Sequence, residues 1–104
     1  MNILIDKIRL RGPEHEADFV RWVTEVDYAA CTALPSVRRF QVVRAAPDAG
    51  FDFFEIVHVS SLPAFQDDMQ TPVFKSLVQR FTQMAEVNES FSGALLPPGF
   101  DIHG

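Results

Sequence analysis

One histidine and several carboxyl groups stand among apolar residues of this chain, and these are the side chains best suited to acid–base chemistry. His58 lies between Val57 and Val59 in an apolar stretch. An imidazole titrates near neutral pH, and in such a stretch it should face a cavity or a buried partner. The sequence therefore predicts His58 as a general acid–base group, with a core or dimer-interface histidine as the alternative.

Two carboxyl groups compete with this histidine for the same role. Glu55 precedes His58 by three positions, so strand alternation directs the two side chains to opposite faces of a sheet. Only one of them can line a pocket within one subunit, and the sequence leaves open which one. Asp6 shares its strand parity with Leu4 and Ile8, which predicts either an ion pair with an arginine or a place in the cavity wall.

A second group of candidates lies on the first predicted helix. Asp27 and Cys31 are four residues apart and share one flank, with Trp22 one to two turns earlier as a stacking wall. Cys31 has the alternative role of a small buried apolar residue. Tyr28 points away from that flank and is predicted to hydrogen-bond a ligand heteroatom or to lie in an interface.

The candidates form two sets, the first for proton transfer or positioning and the second for ligand contact. The first set is His58, Glu55, Asp27 and Tyr28, and the second is Trp22, Cys31, Asp6 and Phe54. His15 is expected at the surface, and His103 lies next to the C-terminal residue. Neither the His and Cys spacing of a metal site nor a glycine-rich phosphate loop occurs, so we expect no metal and no organic cofactor.

The composition is that of one globular domain spanning residues 1–104. Hydrophobic residues make up 47 % and charged residues 22 %, and ten phenylalanines dominate the aromatic content. A net charge of −5 argues against nucleic acid or an anionic membrane as partner. A single cysteine and the lack of a long apolar run are consistent with a cytoplasmic location.

The apolar periodicity predicts strands and helices in the order β-α-β-β-α-β, the ferredoxin-like α+β arrangement. The predicted strands cover residues 3–10, 37–44, 51–59 and 87–96, and helices begin at Pro13, at Ser60 or Ser61, and at Thr71-Pro72. The apolar stripe of the last helix, which includes Phe74 and Phe81, is interpreted mainly as core. A four-stranded antiparallel sheet with helices on one face leaves the other face apolar, and a second copy of the chain is expected to cover it.

Four stretches of the sequence resemble a known family. They are KIRL, FVRWVTEVDYAACTALPSV, FFEIVHVSSLPAFQDDM and FKSLVQRFTQMAEV, of which WV-x3-DY-x2-C followed by LPSV is the most specific. Together they resemble the RedY-like (HapK-like) proteins of prodiginine and bis-indole pigment pathways, within the dimeric α+β barrel superfamily. The resemblance covers essentially the whole chain.

The resemblance implies a cofactor-independent protein that acts on a flat, aromatic, nitrogen-containing intermediate bound between sheet and helices. Cyclisation or a proton-transfer rearrangement in a pigment or alkaloid pathway is the implied chemistry. The superfamily also contains cofactor-free oxygenases and proteins without known chemistry. A non-catalytic carrier of the same kind of small hydrophobic molecule and a cofactor-free oxygenase therefore remain alternatives.

Overall fold

A computed structural model describes residues 1–102, in which four strands form one antiparallel sheet with the order β2-β3-β1-β4. His103 lies outside the described residues. The strands are β1 (Asn2–Leu10), β2 (Val37–Arg44), β3 (Phe53–Val59) and β4 (Ala85–Ala94). β1 occupies a central position and pairs with both β3 and β4.

Three helices connect the strands. The first, α1, is helical through residues 13–33 and contains a π-helical turn, Val23–Asp27. α2 (Leu62–Asp68) begins after Ser61, whose hydroxyl accepts a hydrogen bond from the Ala64 amide at 3.2 Å. α3 (Pro72–Met84) begins after Thr71 in the same way. Each cap satisfies an amide that the helix itself leaves unpaired, and a proline follows in the first turn.

The architecture confirms the predicted ferredoxin-like α+β fold, with differences at the element ends. The two separate helices predicted after β3 are confirmed, since Ser61 caps α2 and Thr71 caps α3. β4 starts at Ala85, so this residue belongs to the sheet and not to the apolar stripe of α3. β3 starts at Phe53 and not at Phe51 as predicted, and the carboxylate of the preceding Asp52 accepts a hydrogen bond from the Leu10 amide.

The core lies between the helices and the inner face of the sheet and divides into two clusters. Ile8 and Phe53 are cross-strand partners in the cluster that also contains Met84. Leu4 and Val57 are partners in the second cluster. Between these two pairs, the next inner-face pair of β1 and β3 is Asp6 opposite Glu55. The sheet therefore places two carboxyl groups where an apolar pair would join the clusters.

The outer face of the sheet also carries apolar side chains. Ile3, Ile5, Phe54 and Ile56 alternate with the inner-face residues, and each is only partly buried. All three helices contribute to the opposite, inner face. The part of the chain that the structure describes contains no helix long and apolar enough to cross a membrane.

Candidate functional site

A cavity of about 600 Å³ lies between the inner face of the sheet and the three helices. This volume is within the range of small-molecule sites, and most of the wall is apolar, as is usual for such sites. The aromatic wall residues come from α1, β2, α2 and α3: they are Trp22, Phe40, Phe65, Phe74 and Phe81. The Trp22 and Phe81 ring centroids are 6.5 Å apart, and those of Phe65 and Phe74 are 5.8 Å apart. The Phe stripe predicted as core therefore also lines a cavity.

Asp6 and Glu55 lie side by side on the floor of this cavity. Burial raises the pKa of Glu55 well above its usual range, and a hydrogen bond to Asp6 and the nearby charges of Asp6 and Asp27 add to the effect. Two carboxyl groups can hydrogen-bond each other only when one holds a proton. Asp6 also accepts a hydrogen bond from the Ser90 hydroxyl at 2.5 Å. The arrangement therefore favours a protonated Glu55 that donates its proton in a hydrogen bond to Asp6.

Asp27 faces the same cavity from α1. It is the last residue of the π-helical turn, and such turns are frequent at functional sites because they change the direction of side chains. Burial raises the pKa of Asp27 from 3.8 to about 6. Among residues 1–102, no side chain donates a hydrogen bond to this carboxyl group or forms an ion pair with it. A carboxyl group in this condition changes its protonation state close to neutral pH.

Cys31 and Trp22 complete the part of the wall that α1 contributes. Cys31 donates a weak hydrogen bond from Sγ to the Asp27 carbonyl oxygen at 3.5 Å. Burial, together with the charges of Asp27 and Glu55, raises the pKa of the Cys31 thiol to about 11. This thiol is protonated at neutral pH, so it suits a wall contact and not a nucleophile.

Arg11, Glu86, Ser90 and Ser92 also line the cavity, and the sequence interpretation did not include them. Arg11 donates from Nε to the Thr82 carbonyl oxygen at 2.6 Å, and its Nη1 lies 3.6 Å from a Glu86 carboxylate oxygen. One signal was present in the sequence: Ser90 and Ser92 alternate on the last strand, which indicates one polar, small-residue face.

Two predicted residues lie on the other side of the sheet. His58 is the β3 partner of Ile3, and Phe54 is the partner of Lys7, so both side chains occupy the outer face, and neither lines the cavity. This corrects the expectation that His58 and Phe54 line a cavity between the sheet and the helices, and the outer face agrees with the alternative of a dimer-interface histidine. The reason is the alternation along β3, which gives the inner face to Phe53, Glu55 and Val57.

Tyr28 is likewise absent from the cavity wall. Its hydroxyl accepts a hydrogen bond from the Val42 amide at 3.0 Å, and its ring packs edge-on against Phe40 at a centroid distance of 5.6 Å. Tyr28 therefore attaches α1 to the edge strand β2, which corrects the expectation that its hydroxyl reaches a ligand in this cavity. Of the eight predicted residues, the cavity brings together Asp6, Trp22, Asp27, Cys31 and Glu55.

The sheet is covered by helices on one face, and a partly acidic cavity lies between the two layers. This architecture defines a ferredoxin-like α+β domain with an internal cavity. The family model described as REDY-like protein HapK matches residues 2–96. The chain thus belongs to the HapK family of REDY-like proteins, which confirms the resemblance predicted above.

Solved structures agree with this assignment. HapK from Hahella chejuensis has 41 % identity and a TM-score of 0.94, covering 99 % of this chain and 100 % of its own. SnoaB, a cofactor-independent oxygenase from Streptomyces nogalater, has 18 % identity and a TM-score of 0.68, with 92 % and 96 % covered. A dimeric Bacteroides fragilis protein of unknown function and ferredoxin-like fold has 12 % identity and a TM-score of 0.76, with 90 % and 95 % covered. The last two share the fold. No curated protein matches the chain.

Proposed function

We propose that this protein acts without a cofactor on a flat, aromatic, nitrogen-containing intermediate of natural-product biosynthesis and catalyses its cyclisation or rearrangement by proton transfer. The observation that carries the proposal is the set of three carboxyl groups, Asp6, Asp27 and Glu55, within one largely apolar cavity. Membership of the REDY-like HapK family supports the pathway type.

Asp27 and Glu55 suit opposite halves of a proton transfer. With a pKa of about 6, Asp27 is mostly ionised at pH 7.5 and accepts a proton from a C–H or N–H group of the ligand. Glu55, whose pKa burial raises well above its usual range, holds a proton and donates it to another ligand atom. The ligand then has the same composition and oxidation state as before, and water at the cavity mouth returns the proton from Asp27 to Glu55. Asp6, held by Ser90, positions Glu55.

The test uses the intermediate that accumulates when the gene is deleted in its host. We expect the purified protein alone to convert this compound into an isomer or cyclised product, which mass spectrometry and nuclear magnetic resonance identify. Asp27→Asn and Glu55→Gln should each lower turnover by roughly 10²–10⁴-fold, the range for a lost acid–base group. His58→Gln, on the outer face, serves as the matched control and should retain turnover within about threefold.

A non-catalytic carrier is the second candidate, because a mostly apolar wall also suits sequestration. A carrier binds the same compound and forms no product on long incubation, and neither carboxyl variant changes the pathway flux. Oxygen uptake during turnover would instead indicate the cofactor-free oxygenase. Either result would exclude the proton-transfer proposal.

We also propose that the protein is a homodimer in which the outer faces of two sheets pack together. The partly exposed Ile3, Ile5, Phe54 and Ile56 support this arrangement, since a second copy would remove them from water. Sedimentation should give twice the chain mass of 11.7 kDa, and Ile56→Arg should shift the protein to the monomer mass. An unmodified protein that sediments as a monomer at micromolar concentration contradicts this proposal.

A further inference from the structure

The charges of the cavity wall do not balance. Four carboxyl groups line it, those of Asp6, Asp27, Glu55 and Glu86, against one guanidinium group, that of Arg11. Arg11 is already held at the mouth by Glu86 and by the Thr82 carbonyl oxygen. The three remaining carboxyl groups have no cationic partner among residues 1–102.

The proton shared by Glu55 and Asp6 neutralises only part of this excess. The pair keeps one negative charge, which the Ser90 hydroxyl stabilises. Asp27 adds a second charge when it ionises, and no side chain among the described residues contacts its carboxyl group by a hydrogen bond. Ionised groups in an apolar surrounding are unfavourable unless an opposite charge approaches them.

The aromatic residues of the wall also favour a cationic ligand. Trp22 and Phe81 line the same cavity as the carboxyl groups, with ring centroids 6.5 Å apart. Aromatic rings attract a delocalised cation electrostatically, and this attraction is strongest for tryptophan and for desolvated sites. Carboxylates on one side and aromatic rings on the other therefore favour the same occupant.

We propose that the cavity takes its ligand as a planar aromatic cation, a nitrogen heterocycle with a delocalised positive charge, and not as the neutral ring. This inference rests on the proposed function, because it assigns a charge state to the ligand of the same site. The positive charge completes the balance that the chain leaves open at Asp27 and at the Asp6–Glu55 pair.

The probes are 10-methylacridinium, a permanent cation, and acridine, which has nearly the same shape and is neutral at pH 7.5. Trp22 is the one tryptophan of the chain and lines the cavity, so quenching of its fluorescence reports occupancy of this cavity. We expect the cation to bind at least about tenfold more tightly than acridine, in keeping with a charge paired away from bulk water. Asp27→Asn should reduce the affinity for the cation by about tenfold and leave that for acridine unchanged. Glu25→Gln removes an exposed carboxylate from the same helix, and should change neither affinity.

The inference also predicts a pH dependence for the permanent cation. The groups that face Asp27 are Asp6 on β1, Glu55 on β3 and Cys31 on its own helix, with Arg11 and Glu86 at the mouth. Cys31 stays neutral. With a pKa of about 6, Asp27 is mostly protonated at pH 5, so binding should be about fivefold weaker at pH 5 than at pH 7.5. In Asp27→Asn this difference should largely disappear.

Three outcomes would overturn the inference. Equal affinities for 10-methylacridinium and acridine would contradict the preference for a cation. The cavity would still bind an aromatic ligand, so the proposed function would stand. An affinity for 10-methylacridinium that is the same in Asp27→Asn as in the unmodified protein at pH 7.5 shows that the cation binds for other reasons. Failure of both probes to quench Trp22 counts against the cation and against the aromatic ligand of the proposed function together.

Discussion

Asn in place of Asp27 should stabilise the protein at neutral and alkaline pH. Asn has almost the same shape as a protonated aspartic acid and cannot ionise. Burial raises the pKa of Asp27 from an ordinary value of 3.8 to about 6, so ionisation is harder in the folded than in the unfolded chain. At about 1.4 kcal/mol per pKa unit, ionised Asp27 lowers the free energy of unfolding by about 3 kcal/mol.

The sign of the pH dependence follows from proton binding. Between pH 3.8 and about 6 the folded chain holds more protons at Asp27 than the unfolded chain, so stability decreases as the pH rises through this window. Below it Asp27 is protonated in both states, and the variant and the unmodified protein should be equally stable. Above pH 7 the variant should be more stable by the full amount.

Urea denaturation at pH 3.5, 5, 6 and 8 measures this difference at one fixed protein concentration, which keeps any effect of association constant. Glu25→Gln, which removes an exposed carboxylate from the same helix, is the control. Its free energy of unfolding should differ little from that of the unmodified protein, and this difference should not change with pH. A stability gain for Asp27→Asn that does not vary with pH would refute the reasoning. So would a loss of stability at pH 8.

Three further substitutions test structural assignments. Tyr28→Phe removes the acceptor of the Val42 amide and should lower the free energy of unfolding by about 1 kcal/mol with turnover unchanged. A large loss of turnover would instead show that the Tyr28 hydroxyl takes part in the reaction. Asp68→Ala leaves the buried Ser36 amide and hydroxyl without their acceptor and should cost about 3 kcal/mol in urea denaturation, whereas a cost under about 1 kcal/mol would show that water replaces the carboxylate. Thr71→Ala removes the α3 cap and should cost about 1 kcal/mol, with Thr71→Ser as the conservative control that retains stability.

The fold was predictable because its signals are local. Pro13, Ser61 and Thr71 mark helix starts that need only their own first turn, and the structure has helices at all three. The prediction of where β4 starts was less accurate. Ala85 continues the apolar stripe of α3, and only its pairing with Leu10 across the sheet ends the helix at Met84.

The site was predictable only in part, because a strand that is apolar on both faces does not reveal its inner side. Glu55 and His58 were correctly assigned to opposite faces, yet nothing in β3 itself distinguishes them. The decision comes from β1, where Asp6 faces Glu55, and from the helices, which all pack on that side. The position of Tyr28 could not be predicted from the sequence around it either, because it depends on a contact with the edge strand β2, which is distant along the chain.

Apolar side chains on the floor of the cavity would stabilise the fold, whereas the proposed chemistry requires carboxyl groups there. Ile8 with Phe53 and Leu4 with Val57 are apolar pairs on either side of Asp6 and Glu55, and an apolar pair between them would join the two core clusters. The chain instead places acids there and leaves a cavity above them, an arrangement that proteins retain where a site needs perturbed groups. Asp27→Asn, which neutralises the buried carboxyl group that faces them from α1, is therefore expected to stabilise the fold at neutral pH and to lower turnover at the same time. A variant that gained stability and kept full turnover would mean that the acids are dispensable, and the cavity would then be a binding site alone.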